Sequence, residues 1–218
     1  MKVLAFGDTH GVTDFSYLLS LAQEADVLLC VGDVTRFGTA VEEVVAGLAA
    51  LARAAGKPLV LTHGNHEQDL SGVISRVAPE IVYVHERVHV HGDELVIYGY
   101  GGGGFRTRDS VVEGFLRQAH REHASVQGVH LWLFHGPPHD AGVDVVPGLG
   151  PTGCKSKRLL LEELVPDVVV AGHIHEQFGL VQEVGSTLVV NPGPDGVLLE
   201  LGYPNTNSTS SSSSGESR

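Results

Sequence analysis

The feature that most constrains this chain is an alternation of short, β-branched apolar runs with longer amphipathic stretches. Residues 3–6, 27–31 and 59–61 read as buried strands, and residues 15–25 and 40–55 separate them as helices. That rhythm predicts a βαβαβ unit, because strands that run parallel need a crossover element to carry the chain back. In the second helical stretch Val41, Val44, Val45, Leu48 and Leu51 recur at spacings of three and four, while Glu42, Glu43 and Arg53 take the opposite side. From residue 81 the pattern changes. The runs 81–84, 88–90 and 95–100 lie too close together for crossover helices, so hairpins are expected there. A helix over 109–124 with Asp109 as its cap, a strand over 129–134, a helix over 157–164 and strands over 168–171, 187–190 and 197–201 follow.

The length of 218 residues suits one core, and a single domain is expected over 1–203. Residues 204–218 form a Ser-rich tract with too little apolar surface to order itself, and a disordered tail is expected. The 14 Lys and Arg against 26 Asp and Glu give a net charge of −12, which disfavours a broad grip on nucleic acid or anionic membrane. The two cysteines, Cys30 and Cys154, are too few for a disulfide framework. With neither a secretory leader nor a run long enough to span a bilayer, cytoplasmic residence is the expectation.

Five polar clusters stand directly after predicted strands: Asp8-Thr9-His10, Gly32-Asp33, Gly64-Asn65-His66-Glu67, His135-Gly136 and Gly172-His173-Ile174-His175. The carboxyl ends of parallel strands share one sheet edge, so side chains distant in sequence would converge there. Any one cluster alone is more often a turn or a cap than a ligand set. Five in order are not explained by turn requirements. Carboxylate, imidazole and amide oxygen together suit borderline divalent ions such as manganese, iron, zinc, cobalt or nickel, and Asp33 is the natural bridge between two of them. Two cations about 3.5–4 Å apart would polarise a phosphoryl group and hold a bridging hydroxide for in-line attack. His66, next to a ligand position, is placed to assist the leaving group.

In order, Asp8-x-His10, Gly32-Asp33, Gly64-Asn65-His66-Glu67, His135 and Gly172-His173-x-His175 resemble the motif set of the calcineurin-like metallophosphoesterase superfamily. Gly32 to Gly38, His173 to Glu176 and Val189 to Gly193 are similar to the small, stand-alone prokaryotic members related to cyclic-nucleotide phosphodiesterases. The resemblance implies an α/β fold, a four-layer α/β/β/α sandwich of two mixed sheets flanked by helices. It also implies one metal held by Asp8, His10, Asp33 and His175, a second held by Asp33, Asn65, His135 and His173, and His66 contacting the leaving group or scissile phosphate. The fourth motif reads Phe134-His135-Gly136-Pro137-Pro138, without the Gly-His order of some members but with the histidine kept.

Arg36, Arg106 and His139 are the candidates for substrate contact, each competing with a plain reading as a solvated side chain. Gly101 to Gly104 lacks a following Lys-Ser or Lys-Thr and reads as close packing or a hinge, not a nucleotide loop. Residues 136–155, rich in Gly and Pro, are a candidate rim or lid. Lys155, Lys157 and Arg158 read as a small solvent-exposed basic patch, and His63, His85, His89, His91, His120, His123 and His130 mostly as surface or strand-face residues. The chain is thus expected to hydrolyse a phosphodiester or phosphomonoester of a small substrate with two divalent metal ions. A nuclease of the same superfamily and a non-catalytic protein-binding scaffold are the alternatives. Neither a membrane nor an extended nucleic-acid surface is expected as a partner.

Overall fold

The structure, a computed structural model, describes residues 1–202, so the tail expected at 204–218 lies outside the described residues. In the first sheet β1 (Lys2–Phe6), β2 (Val27–Cys30), β3 (Leu59–Leu61) and β4 (Val82–Tyr83) run parallel, and β13 (Val197–Glu200) returns antiparallel beside β1. The second sheet has the order β11 (Leu180–Val184), β12 (Thr187–Asn191), β10 (Val168–Ala171), β7 (Val129–Phe134), β6 (Leu95–Tyr100) and β5 (Arg87–His91). Its four inner strands are parallel and its two edge strands antiparallel. A short hairpin of β8 (Val145–Val146) and β9 (Gly150–Pro151) stands apart.

Strand periodicity explains the layering. Along β1, Leu4 and Phe6 join a core with Val44, Val45 and Leu48 of α2 (Val41–Ala55), while Val3 and Ala5 face the other way into a second core. That second core also takes Leu29 and Val60 from the first sheet and Ile97, Leu131 and Val170 from the second, so it is the seam between sheets. A third core sets Tyr98, Trp132 and Val169 against Val112 and Leu116 of α4 (Ser110–His123) and Leu160 of α5 (Lys155–Leu164). Three apolar layers between four polypeptide layers give two mixed sheets flanked by helices. Strands apolar on both faces are what such burial requires.

The cap predicted at Asp109 is present, its carboxylate accepting from the Val111 and Val112 amides at 3.0 and 3.4 Å. One expected hairpin is absent. β4 pairs with β3 in the first sheet, whereas β5 pairs with β6 in the second, so residues 84–86 cross between sheets instead of turning back within one. Glu86, at φ +51°, makes that change of direction.

Candidate metal centre

The parallel strands of both sheets end at one rim. Beyond β1, β2 and β3 lie Asp8 and His10, Asp33, and Asn65 and His66; beyond β7 and β10 lie His135, then His173 and His175. Hydrogen bonds stitch the two sets across the sandwich. His135 Nδ1 lies 3.1 Å from the Val31 carbonyl oxygen, fixing which ring nitrogen faces the site. The His173 amide donates to both oxygens of Asp8, at 3.2 and 3.1 Å. Within the first set, the His66 amide donates to Asp33 Oδ1 at 2.8 Å.

Close approach on this scale explains two of the glycines. A Cβ on Gly64 would sit 1.9 Å from Asp33 Oδ1, and one on Gly172 would sit 2.1 Å from Asp8 Oδ2. Strain is concentrated in the same place. Asp8, His10, Asp33 and His173 have φ of 52°, 46°, 48° and 72°, a left-handed conformation that L-residues keep only where the surroundings enforce it. The turns aim side chains that a relaxed strand end would point elsewhere.

Three groups of side chains bring ligand-type atoms within 4.8 Å of one another: Asp8, His10 and His175; His10, Asp33 and His66; and Asp33, His135 and His173. His10 Nε2 lies 3.0 Å from His175 Nε2, and His175 Nε2 lies 3.9 Å from Asp8 Oδ1. On the other side, His135 Nε2 is 2.8 Å from Asn65 Oδ1 and 3.4 Å from Asp33 Oδ2. Asp33 thus belongs to two of the groups. His173 Nε2 is buried without a hydrogen-bond partner, which is costly for a ring nitrogen unless something else meets it there.

Electrostatics point the same way. Burial pushes Asp8 up to about 8 and Asp33 up to about 6, partly opposed by the amides of His173 and His66 respectively. Burial, reinforced by neighbouring imidazoles, brings His10 and His173 down to about 4, and it holds His135 well below the usual histidine range. At neutral pH these three rings therefore offer free lone pairs, the form in which imidazole ligates a metal. A site that disfavours both negative carboxylate and positive imidazolium is relieved by a cation the carboxylates can pair with. The donor set, the orphaned nitrogen and the charge balance fit divalent metal.

A model of the family described as calcineurin-like phosphoesterase matches residues 1–177. The chain belongs to that family. It is 27% identical over 202 residues to an uncharacterized protein of Methanocaldococcus jannaschii, covering 89% of this chain and 88% of that one. Its fold is similar to a solved protein of Thermus thermophilus, at 19% identity and TM-score 0.66, with 89% of each chain covered. A dimetal phosphatase from Danio rerio gives 10% identity and TM-score 0.60, covering 89% of this chain and 88% of that one. Calcineurin-like phosphoesterases are hydrolases in general terms, and the His and Asp groups described above could hold their metal.

Other predicted residues fare differently against this calcineurin-like frame. Arg36 stays beside the cluster, its Nε donating to the His10 carbonyl at 3.2 Å. Arg106 is turned toward the α4 cap, with Nη1 3.1 Å from Asp109 Oδ2. His139 is held through its backbone to Cys154 at 3.1 Å, and among the described residues none of its hydrogen bonds or ring contacts reaches the cluster. The basic patch needs correction. Lys157 is 2% exposed, because α5 turns it under the site, where Nζ donates to the Gly136 carbonyl at 2.6 Å and lies 4.7 Å from the Phe134 ring. Burial lowers it to about 8. His63 is buried too, against Tyr83 and beneath Gly101 and Gly102, which pack closely on its ring. The rim at 136–155 is braced, the buried Asp144 accepting from the amides of Asp140, Ala141 and Gly153.

Glu67 has a role that the sequence did not disclose. It is 7% exposed, its Oε1 accepts from Thr35 N and Oγ1, both at 2.7 Å, and its Oε2 accepts from Gly64 N at 2.9 Å. It ties the Asp33 loop to the Asn65 loop. The only sequence signal was a carboxylate following the Asn-His pair.

Proposed function

We propose that this chain hydrolyses a phosphate ester of a small substrate with two divalent cations bound side by side. Asp8, His10, Asp33 and His175 would hold one cation, and Asp33, Asn65, His135 and His173 the other. The observation that carries the reading is the shared position of Asp33, whose carboxylate belongs to donor groups on both sides of the rim. When bound, the cations supply Lewis-acid polarisation of the phosphoryl oxygens and lower the pKa of an attacking water.

The protein's part is preorganisation. His173 and His66 amides hold the Asp8 and Asp33 carboxylates in place before substrate arrives. Of the residues that would hold the cations, two are carboxylates, so a doubly loaded centre would be net positive and would attract a phosphate despite the acidic chain. His66, with its side chain 18% exposed and Nδ1 3.2 Å from His10 Nδ1, is at the solvent side, where it would give a proton to the departing oxygen.

Metal analysis of the purified chain, alongside turnover of an aryl phosphodiester and a phosphomonoester with added manganese, tests this reading. Two metals per chain and turnover that His66→Ala abolishes while metal content stays intact are expected. A fully metallated chain inactive on both ester types would favour the scaffold reading.

A further inference from the structure

Phe37 is the most exposed large hydrophobic residue described, at 79%, and it is also in the left-handed region at φ +49°. A bulky side chain is rarely kept in that conformation, and burial gives this one no compensation. The strain is instead sustained by a tight turn. Thr39 N donates to the Arg36 carbonyl at 3.0 Å, Gly38 N donates to Thr35 Oγ1 at 3.0 Å, and Thr35 is clamped by Glu67. Glu67 belongs to the loop that carries His66, so hydrogen bonds tie the turn to that loop. The result is a near-parallel stack of the Phe37 and His66 rings, with centroids 3.9 Å apart and planes 20° apart.

A cleft of about 400 Å³ opens beside this stack, with Val41, Leu70 and Val73 among its walls and Gln68 and Asp69 on its polar side, the Asp69 carboxylate also accepting from the Ser71 amide at 2.7 Å. Its volume is in the range of small-ligand sites. The acidic Asp69 is poorly suited to a second phosphate, and the apolar walls are poorly suited to a charged peptide. An uncharged ring with hydrogen-bond donors satisfies both. Aromatic faces prefer offset stacking on such a ring, and Phe37 has a face open to solvent.

We propose that Phe37 and this cleft form the leaving-group subsite, selecting phosphate esters whose alcohol carries an uncharged planar ring. The proposal rests on the phosphoesterase reading, with the ring placed on the His66 side of the centre. Phe37 is a specificity residue here, and its effect falls on KM more than on kcat.

Adenosine 5′-monophosphate and ribose 5-phosphate share the same scissile primary ester and differ in the ring, so their ratio of kcat/KM isolates the subsite. With the manganese-loaded chain that ratio is expected to exceed ten through KM. Both Phe37→Ala and the cleft-filling Val73→Trp are expected to lower it about tenfold, and Phe37→Tyr to keep it. Equal losses of kcat on both esters in Phe37→Ala would mean that the ring only positions His66, and would overturn the proposal. Saturation-transfer NMR with adenosine and with ribose, on metal-free chain, supplies a reading independent of turnover. Adenosine binding that Phe37→Ala weakens at least tenfold supports the subsite, and equal signals from adenosine and ribose overturn it. Absent hydrolysis of either ester would count against the phosphoesterase reading while the NMR result still decides the cleft.

Discussion

The two sides of the candidate metal centre are built alike but seated differently. His135, on the side shared with Asp33 and His173, is fully buried, and His173 keeps a ring nitrogen away from solvent. On the other side, the His175 side chain is 52% exposed while its neighbour Asp8 is buried. One side is sealed by both sheets, and the other opens along the rim. The difference would separate two tasks that the proposed two-cation hydrolysis must combine: holding metal firmly and leaving room for substrate.

The largest effect is expected at the residue common to both sides. Asp33→Asn should reduce metal content below two per chain and lower kcat/KM on the order of 1,000-fold, several kcal/mol of transition-state stabilisation. Retention of both metals and of activity would break the proposed bridge. Next comes the contrast itself. His173→Ala on the sealed side should weaken the corresponding cation about 100-fold, because water cannot readily replace the lost ring, whereas His175→Ala on the open side should weaken its cation about tenfold. Chelator competition followed by metal analysis measures both, and the reverse order would refute the sealed-and-open distinction.

A third expectation concerns protons. In the metal-free chain Asp8 is raised to about 8 and therefore carries a proton at pH 7, while His10 and His173, near 4, do not. A cation arriving at the open side must displace that proton. Release should thus be greatest below pH 8 and fade as pH rises through it, and Asp8→Asn should reduce it by about one proton. Calorimetric titration at pH 7 and pH 9 in buffers of different ionisation enthalpy checks the sign. The smallest effect is expected at the α4 cap: Arg106→Ala removes a partly exposed pair with Asp109 and should cost under about 1 kcal/mol in a urea melt.

Much of this arrangement was legible because the strands needed apolar residues on both faces. Leu59–Leu61, Leu95–Tyr100, Val129–Phe134 and Val168–Ala171 match their expected bounds, and the polar residues after them stand out against those runs. The family follows from the same ordered clusters, and the model match over residues 1–177 agrees. The short helix α3 (Ser71–Val77) was missed, since it buries Ile74 and little else and so leaves almost no periodic trace. The edge strand β11 was missed because its residues are largely exposed. Lys157 misled for a different reason. Beside Lys155 and Arg158 it reads as solvated charge, and only the Gly136 carbonyl, brought near by the second sheet, gives its ammonium a buried partner. Phe37 gave no signal either, because its place over His66 depends on the turn that Thr35 and Glu67 hold.

The first sheet contains the chain's first strand paired to its last described one, β1 with β13, while the second sheet lies between them in sequence. During synthesis an N-terminal fragment would therefore emerge with an unprotected β1 edge and without the donors of His135, His173 and His175, able to misassociate through that edge. Not until the later strands dock and the chain returns would both halves face each other. A cation taken up at that moment would act as a latch on the finished molecule, so occupancy in the cell would report maturation as much as readiness for chemistry.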